Sequence, residues 1–239
     1  MKRFVILGLP RSGTTYLMSL LDAHRDITCA GEQFNPYAVI GVDEQDDTPA
    51  AILARDSDPV GHMIAFFERT AQSGAACGGF KYMIGHNLQI LKALEADPDL
   101  YIIYVWRENR LAQVSSLIKA AESKKWAQNR VDSHVAQKIE ANPRQISHRW
   151  HEYATFDYLV TGWLAALPNP KVTYEYREMF LAGFEKEVCQ FLGVRLPWRL
   201  KSPLVKQGSN AIADRFEKVG SIRNYFTKVG HADWLDEEL

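Results

Sequence analysis

Cysteine is scarce: Cys29, Cys77 and Cys189 are the only three in 239 residues, they lie far apart, and no CxxC pair occurs. This excludes a disulfide-stapled small fold and a cysteine-built zinc site, and it points to a reducing compartment, the cytoplasm. An excess of charge of either sign is also missing. With 28 Lys and Arg against 29 Asp and Glu, the formal net charge is -1, which argues against a broad nucleic-acid surface yet leaves room for one local basic pocket. No segment approaches the roughly 20 apolar residues that span a bilayer. Met1-Lys2-Arg3 followed by FVILGLP has the start of a signal peptide, but Pro10 and Arg11 break the run and no cleavage pattern follows, so it reads as a buried first strand. Internal repeats and low-complexity tracts are lacking as well.

What is present is a core-forming composition, 46% hydrophobic and 11% aromatic, enough for one domain over residues 1–239 with a possible helical insertion at about 123–166. Short apolar runs alternate with amphipathic stretches. The strand candidates are 4–7 (FVIL), 27–30 (ITCA), 79–83 (GFKYM), 101–106 (YIIYVW) and 171–175 (KVTYE). Helical patterns cover 14–24, 87–96, 109–123, about 134–166 and 184–192. The alternation predicts an α/β fold of three layers, P-loop-like, with a central parallel β-sheet flanked by helices. The acidic, turn-rich segment 41–59 reads as a surface loop or a lid.

Gly8-Leu9-Pro10-Arg11-Ser12-Gly13-Thr14-Thr15 stands between the first strand and the first helix. A glycine turn there aims backbone N–H groups of a helix start at one point, where the helix dipole also favours an anion. Arg11 adds a charge, and Ser12, Thr14 and Thr15 add hydroxyl donors. A strand-turn-helix with a capping hydroxyl is the plainer alternative. A nucleoside triphosphatase would carry lysine where Thr14 stands and an aspartate at a neighbouring strand end for Mg²⁺. The run 101–106 ends instead in Arg107-Glu108-Asn109-Arg110. A cation there suits a second anionic group on the ligand rather than a metal.

These residues resemble the sulfotransferases that use 3′-phosphoadenosine 5′-phosphosulfate (PAPS), and within them the bacterial, carbohydrate-modifying kind. Pro10-Arg11-Ser12-Gly13-Thr14-Thr15 is similar to the family's loop for the 5′-phosphosulfate, and Arg107 with Ser115, eight positions on, keeps the spacing of its 3′-phosphate site. The resemblance extends to VTYE with the helix ending Phe191-Leu192-Gly193, and to the late basic segment, where Lys206 and Gln207 would close over the nucleotide. It implies PAPS as co-substrate, no metal, and an acceptor such as a carbohydrate or glycolipid. Many members carry lysine in the first loop; here the nearest cation is Arg11, which keeps the charge but cannot surrender a proton.

The acceptor hydroxyl needs a base, and Glu32, after the second strand candidate, sits where strand ends share a ligand crevice and where the resembled enzymes carry a glutamate. Burial near Phe34 and Tyr37 would raise its pKa, and Arg11 or Lys81 would lower it; the sequence leaves the sign open. Lys81, inside an apolar strand, either meets the transferring sulfuryl group or faces water from a sheet edge. His86 is the rival base. His148 and His151 read as a polar helix face, and Trp150, Tyr153, Phe156, Tyr158 and Trp163 as core and pocket wall. The expected mechanism is in-line transfer, with Glu32 as base, the loop N–H groups, Arg11 and Thr14 neutralising the leaving oxygen, and Arg107 with Ser115 holding the 3′-phosphate. A phosphotransferase or kinase with a degenerate loop, or a non-catalytic nucleotide-binding domain, are the alternatives. Oligomeric state is not legible.

Overall fold

Five parallel strands form the central sheet, side by side in the order Ile27–Glu32, Cys77–Met83, Lys2–Gly8, Tyr101–Trp106 and Lys171–Glu175. The computed structural model describes residues 1–123, 138–204 and 209–239. In chain order the elements are β1 (Lys2–Gly8), α1 (Thr14–Asp22), β2 (Ile27–Glu32), the short hairpin β3 (Val39–Ile40) and β4 (Gln45–Asp46), α2 (Pro49–Ser57) and α3 (Pro59–Gln72). There follow β5 (Cys77–Met83), α4 (Leu88–Ala96), β6 (Tyr101–Trp106), α5 (Arg110–Ser123), α6 (Pro143–Ala166), β7 (Lys171–Glu175), α7 (Phe184–Leu192) and α8 (Val219–Lys228). All five strand candidates form the sheet, so the α/β three-layer architecture holds.

The strand period of two divides β1 between two cores. Phe4 and Ile6 pack with Leu17, Leu20 and Leu21 of α1 and with Phe184, Val188 and Leu192 of α7. Val5 and Leu7 face the other way, onto Phe66 and Phe67 of α3, Ile90 and Leu94 of α4, and Leu164 of α6. A third cluster joins α5, α6 and α8 through Leu111, Val114, Ile146, Ile222 and Phe226, with Trp234 and Leu235 from the turn Ala232–Leu235. Because β1 connects towards β2 and its neighbour β6 connects towards β7, the chain diverges at their carboxyl ends, where α/β sheets open a ligand crevice. The loop after β1 and the residues after β6 border it.

Two sequence expectations are corrected. The segment 41–59 is not an irregular loop: β4 and α2 lie within it, and α3 follows at once. Thr48 caps α2, accepting from the Ala51 N–H at 3.3 Å, and Asp58 caps α3, accepting from the Gly61 N–H at 2.9 Å, each with proline at the first helical position. The long helix starts at Pro143, capped by Asn142, and not near 134; residues 138–142 are not helical, and Ile139 instead bridges to Phe216. Of the expected insertion at about 123–166, residues 124–137 lie outside the described residues.

Arg55 of α2 is buried and binds the chain after β2: its Nη1 donates to the Asn35 carbonyl at 2.5 Å, the Ala38 carbonyl at 3.2 Å and the Gln33 carbonyl at 3.4 Å. It fixes the segment that begins with Glu32. Arg55→Met leaves those carbonyls short of a charged donor and is expected to cost about 2 to 3 kcal/mol. Urea unfolding should show a lower midpoint at an unchanged slope.

Candidate active site

The turn after β1 is shaped by sterics. Gly13 has φ 106°, and a Cβ on it would sit 2.6 Å from the Tyr176 ring and 2.7 Å from the Met179 methyl; one on Gly8 would meet Ser12 Oγ and the Val105 carbonyl at 2.7 and 2.8 Å. Arg11 is the sole non-glycine residue at positive φ among the described residues, at 64°, so the loop is held in a conformation its sequence resists. Ser12 Oγ is fully buried with no hydrogen-bond partner. A buried hydroxyl without a partner inside a glycine turn at a helix start fits an anion that supplies the missing acceptor. Gln113 of α5 props the loop, donating to the Pro10 carbonyl at 2.8 Å, and Arg110 holds Gln113 at 2.7 Å while pairing with Asp157 of α6.

Beside this cradle lies a basic cluster. Arg107, at the end of β6, is buried, stands 4.2 Å over the Tyr176 ring and donates from Nη1 to the Arg11 carbonyl at 3.1 Å. Its Nε donates to Glu238 Oε1 at 2.7 Å, and its Nη2 donates to Glu238 Oε2. Arg11 Nε donates to Ser116 Oγ at 2.9 Å. Ser115 Oγ accepts from Arg215 Nη1 at 3.1 Å, and the same nitrogen reaches the Ala112 carbonyl at 3.1 Å. Burial and the neighbouring Arg107 charge lower the Arg11 guanidinium below its ordinary value, and the same two causes pull Arg215 down to about 10. Cations crowded together in a desolvated crevice call for negative charge.

Glu32 and Lys81 meet through a bulge. The β2–β5 register skips one residue at Gly31, so Glu32 pairs directly with Lys81. Lys81 Nζ lies 2.7 Å from Glu32 Oε1 and donates to Thr15 Oγ1 at 2.7 Å, and Asn35 Nδ2 donates to Glu32 Oε2 at 2.6 Å. Lys81 is buried on an interior strand, which overturns the alternative of a water-facing edge lysine. Burial pushes the Glu32 carboxyl up, but the Lys81 charge with the Lys81 and Asn35 hydrogen bonds outweighs it and leaves the group below its ordinary value. Tyr37, expected to help bury it, is 81% exposed. Burial keeps the His86 imidazole below its ordinary pKa, and its Nδ1 is buried without a partner.

Sequence reasoning missed Tyr176, Arg215 and Glu238. Each is distant in sequence from the strand ends it meets, and no local pattern signals it. Of the expected aromatics, Trp150 packs between Phe226 and Trp234, Tyr153 is buried, Trp163 donates to Glu95, and Phe156 and Tyr158 are exposed. His148 and His151 are exposed. Lys206 and Gln207 lie outside the described residues. Among the described residues no group of three His, Cys, Asp or Glu side chains is arranged to hold a metal, and no helix is long and apolar enough to cross a membrane.

A parallel sheet with a glycine turn and helix start after its central strand, and a cluster of buried arginines after the adjoining one, is the arrangement of a phosphate-loop α/β protein. The family model described as the sulfotransferase family matches residues 3–198, and the chain belongs to that family of enzymes. It is 26% identical over 133 residues to Nodulation protein H of Rhizobium meliloti (strain 1021), a match covering 54% of this chain and 52% of the relative, so the matched region spans about half the relative's length. Among solved structures, a sulfotransferase from Alicyclobacillus acidocaldarius shares the fold with a TM-score of 0.51 at 14% identity, over 99% of this chain and 96% of that one.

The Glu32 pKa also carries a stability consequence. Its folded value lies below 4.5, so its contribution is fully present above the unfolded value and is lost as pH falls through the folded one. Glu32→Gln strands the buried Lys81 charge and is expected to cost about 2 kcal/mol at pH 7. The gap between wild type and variant should close below pH 4.5, read by denaturant unfolding at a series of pH values.

Proposed function

We propose that the chain transfers a sulfuryl group from PAPS to a hydroxyl of an acceptor, a carbohydrate or glycolipid. The observation that carries this reading is the pair of adjoining anion sites: the glycine cradle with its partnerless Ser12 hydroxyl, and the desolvated Arg11, Arg107 and Arg215 cluster beside Ser115. They suit a 5′-phosphosulfate and a 3′-phosphate on one adenosine. The exposed Tyr37 favours a sugar acceptor by offering a ring for stacking on the segment that follows the base: its backbone N–H donates to Asn35 Oδ1 at 2.9 Å, and Asn35 Nδ2 holds Glu32. The three cysteines are free and buried, in keeping with the cytoplasm.

In the reaction, the acceptor oxygen attacks sulfur as the bond from sulfur to the bridging oxygen breaks. The electron pair of that bond stays on the 5′-phosphate, and the acceptor proton passes to Glu32. The products are a sulfate ester and adenosine 3′,5′-bisphosphate. Glu32 is a carboxylate at neutral pH and so accepts without prior deprotonation, late in the transition state, as the attacking oxygen acidifies. Lys81, bonded to both Glu32 and Thr15, spans base and cradle and offers its charge to the sulfuryl oxygens. Arg11, Thr14 and the loop N–H groups stabilise the leaving oxygen electrostatically; Arg11 remains a cation and is no proton donor.

Transfer of labelled sulfate from PAPS into a panel of glycan acceptors tests the reading. Glu32→Gln should lower kcat about 100-fold while the Kd for adenosine 3′,5′-bisphosphate stays within about twofold. Arg107→Ala should weaken that nucleotide by about 2 to 4 kcal/mol in calorimetry. With Glu32 as base, kcat/KM is flat between about pH 6 and 8 and falls only below 4.5. A limb below the ordinary histidine range that disappears in His86→Asn would move the role to His86. Stabilisation by ATP with Mg²⁺ and none by the bisphosphate would replace the reading with a phosphotransferase.

A further inference from the structure

The Arg107 fork is already filled. Glu238 takes it with both carboxylate oxygens, on Nε at 2.7 Å and on Nη2, the same two-pronged grip that a phosphate would make. Glu238 is the single buried residue of the stretch Asp236–Leu239, whose other three are exposed. Among the described residues the stretch is otherwise held by these bonds: the Ile212 N–H donates to the Asp236 carbonyl at 3.2 Å, the Asp236 N–H to the Asp233 carbonyl at 3.1 Å, Asn210 exchanges bonds with the Leu239 backbone, and Ala211 bridges to Glu237. Immediately before it, Trp234 and Leu235 are anchored in the third core cluster. Four residues can therefore leave the crevice without unpacking the fold.

We propose that Glu238 is an internal competitor for the 3′-phosphate, a specificity-determining residue that occupies Arg107 when no nucleotide is bound and must swing out to admit one. This rests on the reading of Arg107 and Ser115 as the 3′-phosphate site. The carboxylate carries one negative charge and the phosphate nearly two, so the phosphate wins the arginines, but only by the difference between the two pairings. Glu238 lowers the affinity for any nucleotide with a 3′-phosphate and leaves one without it unaffected. It also offers Arg107 a partner as adenosine 3′,5′-bisphosphate departs, which shortens the stay of the product.

Calorimetry with adenosine 3′,5′-bisphosphate and with AMP, on wild type, Glu238→Gln and the exposed neighbour Glu237→Gln, tests the proposal. Expected is a tightening of the bisphosphate by about tenfold or more in Glu238→Gln, AMP within about twofold, and no change for either ligand in Glu237→Gln. In wild type, saturation with the bisphosphate should speed hydrogen exchange at the Ile212 and Leu239 amides, which the docked stretch protects, while the loop after β1 slows. If Glu238→Gln does not fold, that exchange measurement decides alone: unchanged or slower exchange at both amides overturns the proposal. Unchanged or weaker bisphosphate binding in a folded Glu238→Gln, or equal tightening of AMP, also overturns it while the nucleotide reading stands. If wild type and both variants fail to bind the bisphosphate, the proposal falls together with that reading.

Discussion

Three guanidinium groups, of Arg11, Arg107 and Arg215, share one desolvated crevice, and burial and mutual repulsion depress Arg11 and Arg215. An arginine does not escape this cost by losing its proton, so the surroundings must supply acceptors and negative charge. Much of the local structure answers that demand. The Arg11 carbonyl and the Tyr176 ring face Arg107, the Ala112 and Ser209 carbonyls and Ser115 face Arg215, and Glu238 contributes a full charge.

The cradle and the cluster are mechanically joined. Tyr176 lies against the position a Gly13 side chain would take and also under Arg107, so one ring fixes both the turn and the second cation. From the other side, Asp157, Arg110 and Gln113 form a buried chain that ends on the Pro10 carbonyl. A turn with one residue at unfavourable φ and one hydroxyl without a partner keeps its shape because these contacts over-determine it. The opposite wall follows the same logic: the bulge at Gly31 turns Glu32 to Lys81, and Arg55 ties down the chain that follows.

The architecture was legible because its signals are local. A strand covered on both faces reads as an apolar run, and FVIL and YIIYVW are such runs; a glycine turn between strand and helix reads as an anion loop. The segment 41–59 was misread for an equally local reason. Thr48-Pro49 and Asp58-Pro59 have the residue types of turns, but a capping side chain followed by proline at the first helical position is also how a helix begins. The apolar face of α3, with Met63, Phe66 and Phe67, has meaning only against the sheet it covers, and the one buried residue of α2 is Arg55.

By itself the sequence determined the strands of the parallel sheet and the glycine turn from Gly8 to Thr15 between the first strand and the first helix, since both are written in neighbouring residues. Only the tertiary structure decided the sign of the Glu32 shift, the interior position of Lys81, and the company Arg107 keeps. Those depend on a register skip between two strands and on residues 69 and 131 positions away, Tyr176 and Glu238, that meet Arg107 only once the sheet is formed. Electrostatic free energy is set by distance and burial in space, and neither is written in the order of the chain.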